Sequence, residues 1–283
     1  MYETILIPVE AGGRDESAIS LGLDLASAFG ATVHALTVVP AGTEPAGLDP
    51  EAAAELGSVS TEAGEEATAT VDERADERGL ESTAAVRDGV VYRTVLEYAA
   101  DHDVDLIVMG ARGQTERDKA RLGRTTERVI SLAEAPVLAV PPGGPTTLDR
   151  VVLATDGSDA AERAGEHGLE LAAATDARVS VLYVVDSDTY DLNDAPRSIV
   201  GLLTEGGENA VEALAAAARD RGLAVDTSVR RGRPDESITA FADDRDALVV
   251  VGTSGRGGAT DPILGATAER VLRRTTRPIL TVN

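Results

Sequence analysis

Short runs of apolar residues alternate along this chain with longer segments in which apolar residues recur every three or four positions. Residues 5–9 form a continuous apolar run, as expected of a strand covered on both faces. The next segment predicts a helix with one apolar face, made of Ala18, Leu21, Gly22, Leu25, Ala26 and Phe29. The same reading predicts further strands at 32–39, 82–87, 105–109 and 136–140, and a long helix at about 51–78.

The whole pattern then occurs a second time. Residues 151–156 match residues 5–10 at a distance of 146 positions, and Gly252 matches Gly110 at a distance of 142. The segment 141–145 is rich in proline and glycine and suits neither a helix nor a paired strand. We therefore expect two domains and a linker, at 1–141, 149–283 and 142–148.

Strands that alternate strictly with helices predict right-handed crossovers and a parallel sheet. The expected fold class is α/β, with two tandem five-stranded, parallel-sheet, doubly wound domains of Rossmann-like type. Such folds bind ligands beyond the carboxyl ends of the strands, where the strand order reverses. If the first and fourth strands are neighbours, Glu10 faces Gly110 in one domain and Asp156 faces Gly252 in the other.

A glycine-rich segment with the spacing Gly-x2-Gly-x9-Gly follows the fourth strand of each domain. Glycine leaves room for backbone N–H groups to surround a phosphate, and it permits left-handed backbone angles. The helix that begins at the last glycine adds unpaired amides and a positive dipole end. The sequence thus predicts two backbone anion sites, containing Gly110, Gly113 and Gly123, and Gly252, Gly255 and Gly265.

Composition narrows the classes of partner. The net charge of −23 should repel nucleic acid and anionic membranes. Abundant carboxylates with a single lysine, Lys119, are typical of extreme halophiles, the alternative being an ordinary acidic cytosolic protein. The absence of cysteine excludes disulfides and thiolate sites. Because neither a signal peptide nor a membrane-spanning run is recognisable, we expect a cytoplasmic protein.

The polar residues predict neither a catalytic set nor a dedicated metal site. Packing is the favoured role for the three histidines, His34, His102 and His167. Glu10 and Asp156 have no visible partner that would make them general bases, so ligand orientation or strand-end hydrogen bonding is favoured. Ser158 or Asp159 is expected to cap the following helix.

Over nearly its whole length the chain resembles a tandem member of the universal stress protein family. The resemblance rests on Ile-Leu-Ile-Pro-Val-Glu and Val-Leu-Ala-Thr-Asp-Gly-Ser at the domain starts, on both glycine loops, and on Thr-Thr-Glu-Arg-Val-Ile and Thr-Ala-Glu-Arg-Val-Leu after them. It implies an adenine nucleotide alpha hydrolase-like fold. It also implies binding of ATP or another adenine nucleotide, Mg²⁺ that arrives with the nucleotide, and at most slow hydrolysis.

The resemblance also implies which residues would touch the nucleotide. The adenosine end would meet Pro8, Val9, Glu10 and Val38 in the first domain, and Ala154, Thr155, Asp156 and Val184 in the second. The phosphate end would meet Gly110, Arg112, Gly113, Gly123, Arg124 and Thr125, with Thr126 nearby. In the second domain it would meet Gly252, Ser254, Gly255, Gly265, Ala266 and Thr267.

One departure concerns the hydroxyl residue that follows the last glycine in the nucleotide-binding branch of the family. Arg124 and Ala266 stand there instead, which removes a phosphate contact but leaves the backbone amides in place. Arg124 is equally compatible with a bidentate phosphate contact and with a surface ion pair. We expect the second domain to bind nucleotide better, because its loop is more open and Asp156 is the family-like acid.

The resemblance leads us to expect a stress-response sensor or regulator. The alternative is an interaction module that binds no nucleotide and acts through protein partners, and a weaker third option is an enzyme of small-molecule metabolism on the same fold. The fifth strands suggest an intramolecular pseudo-dimer of the two domains, and a further homodimer is compatible with the sequence. The identity of a protein partner is not encoded in any recognisable motif.

Overall fold

The computed structural model describes residues 2–12, 16–40, 50–111, 122–145, 147–187, 196–253 and 264–283, with only the backbone described at 50–56 and at Arg197. The chain divides into two compact units, Met1–Thr146 and Thr147–Asn283.

Unit 1 is a five-stranded parallel sheet with strand order β3-β2-β1-β4-β5. Its elements in chain order are β1 (Thr4–Pro8), α1 (Glu16–Phe29), β2 (Thr32–Pro40), α2 (Pro50–Asp76), β3 (Ser82–Gly89), α3 (Val91–Asp101), β4 (Leu106–Gly110), α4 (Arg124–Leu132) and β5 (Val137–Val140).

Unit 2 repeats this architecture with strand order β8-β7-β6-β9-β10, again all parallel. Its elements are β6 (Arg150–Thr155), α5 (Asp159–Thr175), β7 (Arg178–Asp186), α6 (Arg197–Asp220), β8 (Val225–Gly232), α7 (Pro234–Asp243), β9 (Leu248–Gly252), α8 (Ala266–Arg274) and β10 (Ile279–Val282).

The predicted fold class is confirmed, including the pairing of the first and fourth strands. Ile5 is in register with Leu106 across β1 and β4, and Val151 with Leu248 across β6 and β9. Helix α1 contacts α2, and α3 contacts α4. Because the strand order reverses between β1 and β4, these helix pairs lie on opposite faces and leave a crevice at the reversal.

Buried glycines bring one helix of each unit close to its central strands. A Cβ atom on Gly22 would lie 2.7 Å from Cδ1 of Ile7, and one on Gly168 would lie 2.3 Å from Cδ2 of Leu153. These two glycines correspond at the 146-residue repeat distance. The repeat therefore preserves the close approach of α1 to β1 and of α5 to β6, and with it the position of the strand ends.

Two of the predicted element boundaries differ from the structure by two residues, and the others by at most one. The long helix ends at Asp76 rather than at 78, because residues 77–79 form a turn that Gly79 completes with a φ of +70°. The third strand continues past residue 87 to Gly89. All residues of this edge strand are half-buried or exposed, so it lacks the continuous apolar run that marks the central strands.

Candidate functional site

The central strands are less buried at their carboxyl ends than along their middles. Strands β1, β4 and β9 are buried along their middles, yet their last residues, Pro8, Gly110 and Gly252, are half-buried. Val38 on β2 is half-buried as well. In unit 2, Ala154 and Val184 show the same exposure. This exposure is compatible with a crevice at the place that the strand order predicts in each unit.

A backbone hydrogen bond closes the base of each glycine loop. The N–H of Gly123 donates to the carbonyl of Ala111 at 2.9 Å, and the N–H of Gly265 donates to the carbonyl of Thr253 at 2.6 Å. Ala111 in turn donates to Val140 at 2.8 Å. Each loop therefore leaves the sheet and returns to it at a single point beside the crevice.

These bonds change the predicted role of the last glycine in each loop. The φ angles of Gly123 and Gly265 are −65° and −60°, so neither residue uses the left-handed conformation that we expected. Their amides are already engaged at the loop base. In unit 1 the amides without an intrahelical acceptor are those of the first three residues of α4, Arg124 to Thr126. The amides of Gly123 and Gly265 are therefore not among those left for an anion.

Gly252 is required by packing within unit 2. A Cβ atom at this position would lie 2.9 Å from both C and O of Ala160 and 3.2 Å from the nitrogen of Ala161. These are backbone atoms in the first turn of α5, which cannot move aside as a flexible side chain would. The glycine at the end of β9 thus holds α5 against the sheet, a reason that the sequence alone did not indicate.

The segment after β6 is organised by short polar contacts. Oδ1 of Asp156 accepts a hydrogen bond from the amide of Ser158 at 3.0 Å, and Oγ1 of Thr155 accepts one from Gly157 at 3.0 Å. Gly157 has a φ of +74°, which favours glycine. Ser158 is the N-cap of α5 and accepts from the amide of Ala161 at 3.3 Å. Asp156 is half-buried, whereas its counterpart Glu10 is exposed.

The threonines at the start of the site helices have different surroundings. Thr126 is buried, and its hydroxyl donates to the carbonyl of Gly110 at 2.8 Å, which ties α4 to the end of β4. Thr125 is half-buried, while Arg124, Ala266 and Thr267 are exposed. The hydroxyl of Thr126 therefore fixes the start of α4 relative to β4, and the side chains of Arg124 and Thr125 stay accessible there.

Four predicted site residues lie outside the described part of the chain: Arg112, Gly113, Ser254 and Gly255. Conversely, sequence reasoning missed Thr253, which is buried directly after β9 and whose hydroxyl bonds the carbonyl of Val282 at 3.3 Å and the side chain of Asn283. Gly157 was missed as well. Its signal was available, since a glycine directly after a strand-end acid is typical of a left-handed turn.

The histidines in unit 1 form an aromatic cluster. Nδ1 of His34 lies 3.0 Å from the hydroxyl of Tyr98, and the rings of Tyr98 and His102 lie 4.1 Å apart between centroids. Burial lowers the pKa of His34 from 6.5, and the charge of His102 lowers it further. Burial raises the pKa of Tyr98, against the opposing effect of Arg87. The cluster fits the packing role that the sequence favoured.

The described residues contain neither a cluster suited to a metal ion nor a helix suited to span a membrane. Within the described ranges, no three histidine or acidic side chains come together in a way that could hold a metal ion. The helices of those ranges are all too short or too polar to cross a bilayer.

Comparison with known proteins gives consistent matches over both units. A model of the universal stress protein family matches residues 1–141 and 147–283. The chain is 34% identical over 143 residues to a universal stress protein of Methanocaldococcus jannaschii, covering 49% of this chain and 84% of that protein. It is 30% identical over 213 residues to a universal stress protein of Mycolicibacterium smegmatis, covering 72% of this chain and 69% of that protein.

The fold is also similar to that of a solved universal stress protein from Archaeoglobus fulgidus. The TM-score is 0.74 at 22% sequence identity, and the match covers 99% of this chain and 96% of the other. At this identity the likeness concerns the fold alone.

Proposed function

Since the chain belongs to the universal stress protein family, we propose that it acts as an adenine-nucleotide-binding sensor or regulator in a stress response. The observation that carries the proposal is the crevice at the strand reversal of each unit. There, half-buried strand ends lie next to the first turn of a helix whose leading amides have no intrahelical acceptor.

The two ends of this crevice fit the two ends of an adenine nucleotide. The apolar surface around Val38 or Val184 suits the base and the ribose. The leading amides of α4 or α8, at the positive end of the helix dipole, suit the phosphates. Mg²⁺ would arrive with the phosphates and supply charge neutralisation there. The chain's own part is to bind and orient the nucleotide.

We further propose that unit 2 binds the nucleotide more tightly than unit 1. The carboxylate of Asp156 is half-buried and held by the amide of Ser158 at 3.0 Å, so it is already oriented beside the crevice. Glu10 in unit 1 is exposed. A residue that is fixed before the ligand arrives loses less conformational freedom on binding.

A second candidate function is an interaction module that binds no nucleotide. It is favoured because glycines of the repeated Gly-x2-Gly-x9-Gly pattern have structural roles that need no ligand. Gly252 is required by the packing of α5, and the amides of Gly123 and Gly265 close the loop bases. These roles would preserve the glycines even in a protein without a ligand.

Calorimetric titration with Mg-ATP, in buffer of high ionic strength, separates the two functions. The test variants Val38→Trp and Val184→Trp fill the crevices of units 1 and 2 at half-buried positions. The control Val59→Trp makes the same change on the exposed surface of α2, where Val59 is 57% exposed. We expect saturable binding by the natural protein and by the control.

If unit 2 is the stronger site, Val184→Trp removes the tighter binding and Val38→Trp leaves it. Equal losses in the two variants would contradict the preference for unit 2. A natural protein that binds neither ATP nor another adenine nucleotide would overturn the nucleotide proposal and favour the interaction module. Circular dichroism of each variant establishes that it is folded.

A further inference from the structure

A groove of about 580 Å³ opens in unit 1 at the amino-terminal ends of the strands, whereas the proposed nucleotide crevice lies at their carboxyl ends. The groove lies where α3 and α4 end and where β4 begins, so the amino-terminal ends of the strands border it. Its size is in the range of ligand-binding clefts, roughly 300–1,000 Å³. None of the residues assigned to the nucleotide lines it.

The groove combines an apolar floor with an acidic rim. Ala99, Val104 and Ala133 are buried in the floor, and Leu132 is 46% exposed beside them. The rim carries four carboxylates, those of Glu97, Asp103, Asp105 and Glu134. Among the lining residues there is no lysine or arginine. The groove is therefore complementary to a cation that carries apolar groups.

The rim carboxylates differ in how far they are engaged within the protein. Oδ2 of Asp105 accepts the amides of Glu3 and Thr4, at 2.7 and 3.0 Å, which ties the start of β4 to the start of β1. Glu97, Asp103 and Glu134 are exposed. Asp105 thus helps to build the groove, and the other three are placed to meet a partner.

The same place in unit 2 contains an arginine from the chain itself. Nε of Arg277 lies 3.2 Å from Oδ1 of Asp243, and Nη1 lies 2.5 Å from Oδ1 of Asp246. Nη2 donates to the carbonyl of Asp243 at 3.3 Å. The Arg277 side chain is 22% exposed. Its guanidinium therefore bridges from the end of α8 to the end of α7.

Matching backbone contacts establish that the two places correspond. The carbonyl of Pro136 accepts from Ile107 at 3.0 Å, as that of Pro278 accepts from Val249 at 2.9 Å. Asp103 and Asp246 both occupy the left-handed region, with φ values of 49° and 52°. Asp103 is thus the counterpart of the Asp246 that binds the guanidinium.

The residue before each proline differs between the units. Ala135 precedes Pro136, whereas Arg277 precedes Pro278. Unit 1 therefore keeps the counterpart of Asp246, but it has Ala100 in place of Asp243 and a methyl group where unit 2 has the arginine itself. A second carboxylate for a guanidinium would have to come from the other acids of the rim.

We propose that the groove of unit 1 binds an arginine side chain supplied by a partner protein. A planar guanidinium can reach two carboxylates at once, as Arg277 does in unit 2, whereas an ammonium group acts as a single point charge. The cavity is also much larger than a guanidinium, and its apolar floor suits the hydrophobic neighbours of an arginine in a protein segment.

The test uses the full chain and a capped tripeptide with arginine between two leucines. Binding is followed by backbone NMR in about 0.5 M potassium chloride, which screens unspecific attraction to the acidic surface. We expect saturable shifts at the amides of Ala100, Asp103 and Ala135. Replacing the arginine of the peptide by citrulline, its neutral isostere, should weaken binding about tenfold or more.

Three variants make the assignment specific. Ala135→Arg rebuilds the arrangement of unit 2 and should abolish peptide binding, while Asp103→Asn should weaken it severalfold. The control Glu208→Gln removes the same charge from an exposed position on α6 and should leave binding unchanged. Arg277→Ala opens the corresponding groove of unit 2 and should raise the stoichiometry from one peptide to two.

Several results would overturn the proposal. One is binding of the citrulline peptide as tight as that of the arginine peptide, which would show that the positive charge plays no part. Another is equally tight binding of a peptide with lysine in place of arginine, which would indicate contact with carboxylates that does not depend on the guanidinium. A third is full binding by a folded Ala135→Arg variant. Because the groove and the nucleotide crevice lie at opposite edges of the sheet, failure of this test leaves the Mg-ATP titration unaffected, and the reverse also holds.

Discussion

His34 shows how burial converts a packing residue into one that responds to pH. Its ring accepts or donates a hydrogen bond at the hydroxyl of Tyr98, 3.0 Å away, and lies 5.1 Å from the ring of His102 between centroids. Burial and the neighbouring His102 both disfavour the charged form, which lowers the pKa of His34 below 6.5. Burial also lowers the pKa of His167, although Glu170 and Glu166 oppose it.

A lowered histidine pKa makes the folded state sensitive to acid in a defined direction. Below pH 6.5 the unfolded chain takes up the proton more readily than the folded one, so the stability is complete above that pH. It is lost as the pH falls from there through the lowered pKa. We expect an NMR titration of His34 to give a midpoint below 6.5.

The matched variant is His34→Asn, whose amide can keep the contact with Tyr98 but cannot titrate. It should flatten the pH dependence of the free energy of unfolding between about pH 7 and about pH 5.5, at most about 1.4 kcal/mol per pH unit for one proton. A midpoint for His34 at or above 6.5 would contradict the expectation.

Individual residues also mark how far the sequence could define the site. The acid Asp156 could be placed opposite Gly252 because strand ends are visible as interruptions of apolar runs, whereas Val184 was assigned only through the family resemblance. The roles of Gly252 and Thr126 could not, because each depends on an atom of a distant element, the backbone of Ala160 and the carbonyl of Gly110. Such contacts have no local signature in the sequence.

Helix α6 contains two adjacent glycines in opposite surroundings. A Cβ atom on Gly206 would meet nothing within 4 Å, whereas one on Gly207 would lie 2.6 Å from Cδ1 of the buried Tyr183 ring. Gly206→Ala should raise the free energy of unfolding by about 0.5–1 kcal/mol, because alanine favours helix. Gly207→Ala should lower it by about 1 kcal/mol or more, because the overpacking exceeds that gain.

Denaturant unfolding of the two alanine variants beside the natural protein measures both effects. Since the residues are neighbours in one helix, each variant is the control for the other. Equal changes of the same sign would contradict the packing of α6 on β7. The counterpart of Gly207 in unit 1 is Gly64 in α2, where an added Cβ atom would lie 2.9 Å from Cγ2 of Thr37.

At the level of elements, predictability followed burial. The central strands were recognisable because residues covered on both faces form continuous apolar runs, as in β4 and β9. The edge strands β3 and β8 contain only half-buried and exposed residues, and the end of β3 was predicted two residues too early. The groove of unit 1 could not be predicted from the sequence, because the proposed ligand was inferred from the position of Ala135, which corresponds in space to Arg277 of unit 2.

At the scale of the whole molecule, the large negative net charge affects the stability of the folded chain. A charge of −23 on 283 residues repels itself in the compact state, and dissolved salt screens this repulsion. We expect the midpoint of thermal unfolding to rise substantially between dilute buffer and molar potassium chloride. An unchanged midpoint would contradict the halophilic interpretation of the composition.

The repeat made the tandem organisation predictable over the whole chain, because two copies support each other where one is ambiguous. The domain limits 1–141 and 149–283, the pairing of the two halves and a further homodimer stay predictions. Analytical ultracentrifugation at high salt would decide whether one or two chains form the particle in solution.

The hydrogen bond at each loop base has a consequence for how this fold can change. One hydrogen bond joins the two ends of each loop, between Ala111 and Gly123 or between Thr253 and Gly265. The residues between these ends can therefore be replaced without moving the strands. Ten residues separate Ala111 from the buried Leu122, and ten separate Thr253 from the buried Leu264. Because the two inserts are equal in length and are held at equivalent ends, we expect that the ten residues of one unit can replace those of the other without loss of either fold.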